Sequence, residues 1–200
     1  RVASRGLGDV YKRQELGFAP NSWNDLFNYL SEVEKLPINL ILASGLAISK
    51  DNSDKIYDRF RNRLIVPIHD MQGRVVAFGG RSLDGQEPKY LNSPESEIFE
   101  KGKMLFAFEK ASSNIRKRDK AIIVEGYFDV ISLHAKGINN SVASLGTALN
   151  KYQISQLCRC TDNKNIILNF DSDNAGILAT KRVIKEVESL SLHDQINLKI

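Results

Sequence analysis

Cysteine is scarce in this chain of 200 residues: there are two, and they stand one residue apart at Cys158 and Cys160. That gap is too short for an ordinary structural disulfide, and no second cysteine pair or nearby histidine cluster completes a zinc site. Reduced thiols and a cytoplasmic location are therefore expected. No apolar run approaches the roughly 20 residues that span a bilayer. No stretch has the charged start, apolar middle and small-residue cleavage site of a secretory signal, so no membrane partner is expected. Internal repeats and low-complexity segments are missing too. Neither sign of charge dominates, since 28 Lys and Arg face 24 Asp and Glu for a net charge of +4. Residues 1–14 carry +3 of it, through Arg1, Arg5, Lys12 and Arg13 against Asp9, which leaves +1 for the rest. Local clustering, not global charge, must then identify a partner. That opening stretch has no apolar period and reads as a lead not native to the domain.

What is present is an ordinary globular composition, 42% apolar and 26% charged, enough for one large or two small domains. Residues 15–50 read as helical. Pro20-Asn21-Ser22 supplies a turn and cap, and Trp23, Leu26, Phe27 and Leu30 recur as one apolar face. A second helix is expected from Pro37 to Ser44, with Gly45 at its end. The apolar runs at 64–68 and 74–78, around Asp70-Met71-Gln72-Gly73, predict a hairpin. A helix is expected within Phe99 to Ile115, then a charged connector over residues 116–120. From Lys120 onward strands and helices alternate. Strands are expected at 121–124, 141–145, 166–170 and 196–200. The intervening helices are expected near 127–136 closed by Gly137, after a cap at Thr147 or Asn150, and from Ala175 to Ser189. This alternation implies an α/β fold, a parallel sheet flanked by helices, preceded by a smaller mixed α+β subdomain.

Two of the expected strands end in acid. The first runs into Glu125-Gly126-Tyr127-Phe128-Asp129, the second into Asp171-Ser172-Asp173-Asn174-Ala175-Gly176. In a parallel sheet the carboxyl ends of strands share the edge where ligands bind. If the backbone stays extended through residue 173, alternation puts Asp171 and Asp173 on one side, facing Glu125. Crowded carboxylates repel one another, and hard oxygen donors suit magnesium or manganese. An Asp-x-Asp pair alone is more often a solvated loop. An EF-hand calcium loop fails, because its fifth and twelfth positions hold Ala175 and Arg182. Asp129, one helical turn beyond Glu125, either joins the cluster or caps the first turn.

A basic segment lies upstream, with five arginines and one acid, Asp70, between residues 59 and 81. Arg59, Arg61 and Arg63 alternate, so extended backbone would present them on one face, as a solvated strand edge also would. Arginine binds phosphate bidentately and lysine as a point charge. Tyr90 suits either base stacking or a core. Lys101 and Lys103 either extend this surface or start an exposed helix.

The Glu-Gly step at 125 and the Asp-x-Asp at 171 resemble the TOPRIM fold of DnaG-type primases, topoisomerases and some nucleases. Asp58-Arg59-Phe60-Arg61-Asn62-Arg63-Leu64, Gly79-Gly80-Arg81 and Pro88-Lys89-Tyr90-Leu91-Asn92-Ser93-Pro94-Glu95 narrow it. With Val124 to Asp129 and Ala143-Ser144-Leu145-Gly146-Thr147, they closely resemble the catalytic core of bacterial DnaG primase, in wording nearest the cyanobacterial members. The resemblance covers about Glu15 to Ile200. It implies an amino-terminal core subdomain with a basic groove over 15–118 and a TOPRIM domain over 119–200, truncated at its carboxyl end.

The implied reaction is synthesis of short RNA primers on single-stranded DNA. A ribonucleotide 3′-hydroxyl attacks the α-phosphate of an incoming nucleoside triphosphate, and pyrophosphate leaves. Glu125, Asp171 and Asp173 would be the catalytic, metal-binding carboxylates, with Asp129 a further ligand. Arg59, Arg61, Arg63, Arg81, Lys89, Tyr90 and Lys101 would hold template or nucleotide. A zinc module, a third acidic motif and a domain for the replicative helicase are expected elsewhere in such a protein. The sequence therefore reads as a fragment, monomeric, whose own catalytic competence is in doubt. The rival readings are a TOPRIM nuclease, a topoisomerase-like cleaving enzyme, and a scaffold that only binds DNA or proteins.

Overall fold

A computed structural model describes residues 15–49, 55–190 and 193–200, so the lead expected over 1–14 lies outside the described residues. The chain divides into two compact units, one of residues 15–67 and 76–99, the other of residues 68–75 and 100–200. No helix among the described residues is long and apolar enough to cross a membrane.

In the first unit, β1 (Gly17–Ala19), β4 (Arg63–His69), β5 (Val75–Ser82) and β6 (Tyr90–Asn92) form a sheet in the order β1-β4-β5-β6. β2 (Ala47–Ser49) and β3 (Ile56–Asp58) pair antiparallel beside it in sequence. Helix is confined to α1 (Asp25–Asn28), a π-helical turn over Tyr29–Val33, and α2 (Ile38–Ala43). The helix expected over 15–50 is thus interrupted by strands at both ends. Those three-residue strands exist through their partners, Gly17 opposite Ile65 and Ala47 opposite Asp58. The apolar face expected from Trp23 to Leu30 also differs, because no residue of α1 or the π-helical turn is buried and Trp23 is 63% exposed. What anchors α1 is a charge. The buried Asp58 carboxylate accepts from the N–H groups of Leu26 and Phe27, each at 2.8 Å, and so satisfies two orphan donors of the helix start.

The second unit is a parallel sheet, β7 (Ala121–Val124), β8 (Ser141–Ala143), β9 (Asn165–Asn169) and β10 (Asn197–Lys199), in the order β10-β9-β7-β8. Between the strands run α3 (Phe108–Arg118), α4 (Tyr127–Ala135), α5 (Lys151–Cys158) and α6 (Asn174–Glu188). The α/β architecture expected from the alternation is therefore present. Ile115, Ile123, Val142, Ile154, Leu157 and Ile166 are at most 1% exposed and belong to one core cluster. Each such side chain contributes roughly 1.5–3 kcal/mol by leaving water. Arg116, Lys117 and Arg118 form the last turn of α3 rather than a connector, where cations complement the helix dipole. Asp119 ends the helix at φ +47° and accepts from the N–H groups of Asp162 and Asn163. Hydrogen bonds, led by that from the Asn163 side chain, hold its carboxyl below the ordinary carboxylate range. Asn150 caps α5 by accepting from Tyr152 and Gln153 N–H. The fully buried Gln153 amide donates to the Lys101 and Met104 carbonyls and so fixes the segment before α3. Cys158 and Cys160 are buried and unbonded to each other, and burial pushes the Cys158 thiol up.

Candidate active site

Both acid-tipped strands deliver their carboxylates to one rim of the second unit. Glu125 follows β7 directly and Asp171 lies two residues beyond β9, with Val124 in register with Asn169. Glu125 Oε1 accepts from Asp171 N–H at 3.0 Å, which ties the two strand ends together. Glu125, Asp129, Ser132, Asn169 and Asp171 line a cleft of about 190 Å³. Asp129 does both things its position allows. It lines the cleft, and its Oδ2 accepts from Gly126 N–H at 3.0 Å at the start of α4.

Asp173 is placed differently from the alternation. The strand stops at Asn169, so residues 170–173 do not continue extended pairing. Asp173 instead caps α6, its Oδ1 accepting from Gly176 N–H at 2.8 Å. Gly176 is a site residue that sequence reasoning missed as such. A Cβ there would lie 2.0 Å from the Asp171 carbonyl oxygen and 2.8 Å from Glu125 Oε1. Only glycine lets the first turn of α6 sit against the acidic rim. Its signal in the sequence was the fixed spacing Asp171-x-Asp173-x-x-Gly176.

The donor set suits a hard divalent cation: three carboxylates from three elements line one cleft, and none has an ion-pair partner among the described residues. Among the described residues no group of three His, Cys, Asp or Glu is drawn together tightly enough to hold a metal ion outright. Glu125, Asp171 and Asp129 line the cleft that would hold one, while Asp173 is not among its lining residues and caps α6 through one of its two oxygens.

The basic residues of the first unit are largely engaged within it. Asn62 has φ +49°, which breaks the extended backbone that would align Arg59, Arg61 and Arg63. Arg59 donates through Nε and Nη2 to the Asn92 carbonyl at 3.1 and 2.8 Å, and burial lowers its guanidinium below the ordinary value. Arg61 donates to the Asp58 carbonyl and lies 4.6 Å over the Trp23 ring. Arg63 is 6% exposed, reaches the Lys89 carbonyl at 3.4 Å, and is lowered first by burial and then by Arg61.

Arg81, Lys89 and Tyr90 form an outward-facing group. Tyr90 is opposite Arg81 across β5 and β6 and is 47% exposed, with the Arg81 guanidinium 6.0 Å and the Lys89 ammonium 5.7 Å from its ring. Trp23 with Arg61 makes a second exposed aromatic beside a cation, again missed in the sequence, where Trp23 read as core. Backbone hydrogen bonds tie residues next to these groups, Leu83 N–H donating to the Asn62 carbonyl and Ser82 N–H to the Lys89 carbonyl. Exposed aromatics flanked by cations suit stacked bases and their phosphates. Lys101 belongs to the second unit, in a 3₁₀ turn with Lys103, and its carbonyl is held by Gln153.

Residues 2–112 match the family described as DNA primase catalytic core, N-terminal domain, and residues 122–199 match a Toprim-like family. The chain is 53% identical over 186 residues to a DNA primase of Synechococcus elongatus, covering 93% of this chain and 27% of that relative. The chain thus spans about a quarter of that relative's length. Among solved structures, a DNA primase domain from Pseudomonas aeruginosa superposes with a TM-score of 0.87 at 40% identity, over 96% of this chain and 58% of that one. A DnaG primase catalytic domain bound to ssDNA superposes with a TM-score of 0.78 at 38% identity, over 90% of this chain and 55% of that one.

Proposed function

The chain belongs to the DNA primase catalytic core family, and from that membership we propose that it is the core of an enzyme making short RNA primers on single-stranded DNA. The observation that carries the reading is the meeting of Glu125, Asp129 and Asp171 in one cleft at the carboxyl ends of parallel strands. A magnesium or manganese ion, when bound, supplies positive charge to the reacting phosphate and eases loss of the attacking hydroxyl's proton. Glu125 and Asp171 supply the negative oxygens that fix such an ion, and the Glu125–Asp171 hydrogen bond sets their spacing in advance. Asp173 acts one step removed, by holding the first turn of α6 against the rim. Arg81 and Lys89 hold phosphate, while Tyr90 and Trp23 stack bases of the template. The structure of a DnaG catalytic domain bound to ssDNA supports a single strand as the template. Nucleoside triphosphates are the second substrate, and the replicative helicase is the expected partner of the complete protein.

The test is a primer assay with a full-length primase carrying this core, given single-stranded DNA, the four ribonucleoside triphosphates and magnesium. Short RNA products that vanish with a chelator are expected. Cleaved DNA in place of RNA would reassign the site to a nuclease or topoisomerase. DNA binding with neither product would leave a scaffold. Trp23 is the only tryptophan in the chain, so its emission reports template binding directly.

A further inference from the structure

Two polar residues line the carboxylate cleft beside its acids: Ser132 on α4 and Asn169, the last residue of β9. Both are exposed, and neither side chain has a hydrogen-bond partner among the described residues. Serines in helices commonly bond back to the preceding turn, as Ser31 does to the Phe27 carbonyl and Ser112 to the Glu109 carbonyl. Asn140, Asn150 and Asn165 likewise use their amides, donating to the Lys120, Gly102 and Asp119 carbonyls. Ser132 and Asn169 keep theirs unspent at the cleft. Ser132 stands about one helical turn after Asp129, and Asn169 two residues before Asp171. α4 joins the parallel strands β7 and β8 and so runs back against them, and both steps lead away from the carboxyl rim. The cleft therefore has acids at its mouth and neutral oxygens at its floor.

A hydrated cation suits this space better than a bare one. The cleft's volume of about 190 Å³ is the share of roughly six waters at about 30 Å³ each. Among the described residues no three acids are drawn together tightly enough to grip a bare ion. Magnesium gives up its waters reluctantly and keeps several of them in protein sites. We propose that the cleft takes magnesium as a hydrated ion, with Ser132 Oγ and Asn169 Oδ1 accepting hydrogen bonds from waters the ion carries. Ser132 and Asn169 are positioning residues. They orient the ion through its water shell and add no negative charge to a cleft already lined by Glu125, Asp129 and Asp171. The inference rests on the primase reading of this rim and goes beyond it, to how the ion is held and by which neutral groups.

The test uses cobalt(III) hexaammine, an exchange-inert ion that offers N–H donors where hydrated magnesium offers O–H and cannot bind a protein oxygen directly. It is titrated by calorimetry into the 200-residue chain, alone and against magnesium. Ser132→Ala and Asn169→Leu each remove one acceptor, Ser132→Thr keeps the hydroxyl, and melting curves without metal check the fold. The parent is expected to bind cobalt hexaammine in competition with magnesium. Ser132→Ala and Asn169→Leu should each weaken both ions about threefold to tenfold, as for one lost hydrogen bond. Ser132→Thr should bind as the parent does, and Asp171→Asn should weaken both ions further. Probe binding that ignores Asp171→Asn would lie elsewhere on the surface and overturn the proposal, as would Ala and Leu variants that match the parent. Absence of probe binding to the parent, with or without magnesium binding, would overturn it too. The primer assay on the full-length protein decides the primase reading separately: primers made without probe binding would leave that reading standing and sink this one.

Discussion

In the unit of residues 15–67 and 76–99, Asp58 and Arg63 are 4% and 6% exposed, and both hold backbone from inside the fold. In the unit of residues 68–75 and 100–200, Asp171 is exposed at a rim, and Glu125 and Asp129 share its cleft. Both sets come from short acidic or basic motifs between apolar runs. The first charges replace missing local structure, capping a helix that buries nothing and closing loops onto carbonyls. The second line one open cleft with like sign and no ion-pair partner among the described residues, as a site for a cation would. Burial against backbone marks a structural charge, and an open cleft of like charges with no opposite charge marks a chemical one.

The comparison breaks most sharply if Asp171 proves structural. Asp171→Asn is expected to cut primer synthesis by about 10²–10³-fold, or about 3–4 kcal/mol of barrier, with an unchanged melting curve. Near-parental synthesis in the magnesium assay would remove it from the chemistry. Asp58→Ala should do the opposite. Two charge-assisted hydrogen bonds disappear from a buried site, and a loss of about 3 kcal/mol is expected in urea unfolding. A midpoint equal to the parent's would mean that α1 is held by something else. Gly176→Ala should cross the divide. A methyl 2.0 Å from the Asp171 carbonyl oxygen must push α6 or the strand end aside, costing about 1–3 kcal/mol. Because the displaced atoms belong to the rim, activity should fall beyond what the lost stability explains. Stability loss with full specific activity would separate α6 from the site.

The second unit was legible in the sequence because its signals are local. Apolar β-branched runs, helical spacing and Gly137 mark β7, α4, β9 and α6 within a residue or two, and a strand end is where Glu125 and Asp171 had to emerge. Asp173 was not legible as a cap, since its role depends on where β9 stops. The first unit hid more. β1 and β2 are three residues long and exist by pairing with residues 48 and 11 positions away. Asp58 caps a helix 31 and 32 residues upstream. The left-handed turn at Asn62, whose side chain donates to Asp84 Oδ2 at 2.7 Å, cancels the alternation of three arginines. No window of neighbouring residues contains those facts.

The smallest effect tests whether Glu109 of the second unit is a carboxylate of the structural kind, as Asp119 is. Glu109, on α3, has one oxygen 3.5 Å from His69 Nδ1 and 3.9 Å from Lys110 Nζ, while its other oxygen is buried with no partner. Burial pushes its carboxyl up, against weaker opposing pulls from Lys110 and His69. The unfolded chain then ionises first, at about pH 4.3. Above that the folded state holds the extra proton, so the stabilising contribution is complete below this range and fades as pH rises through the raised folded value. Glu109→Gln keeps the shape and removes the ionisation. Its melting temperature should match the parent's near about pH 4 and exceed it by a few degrees near about pH 8. A variant less stable than the parent near about pH 8 would mean that the contacts to His69 and Lys110 outweigh the cost of burial. Glu109 would then belong with Asp58 and Asp119, charges held for structure.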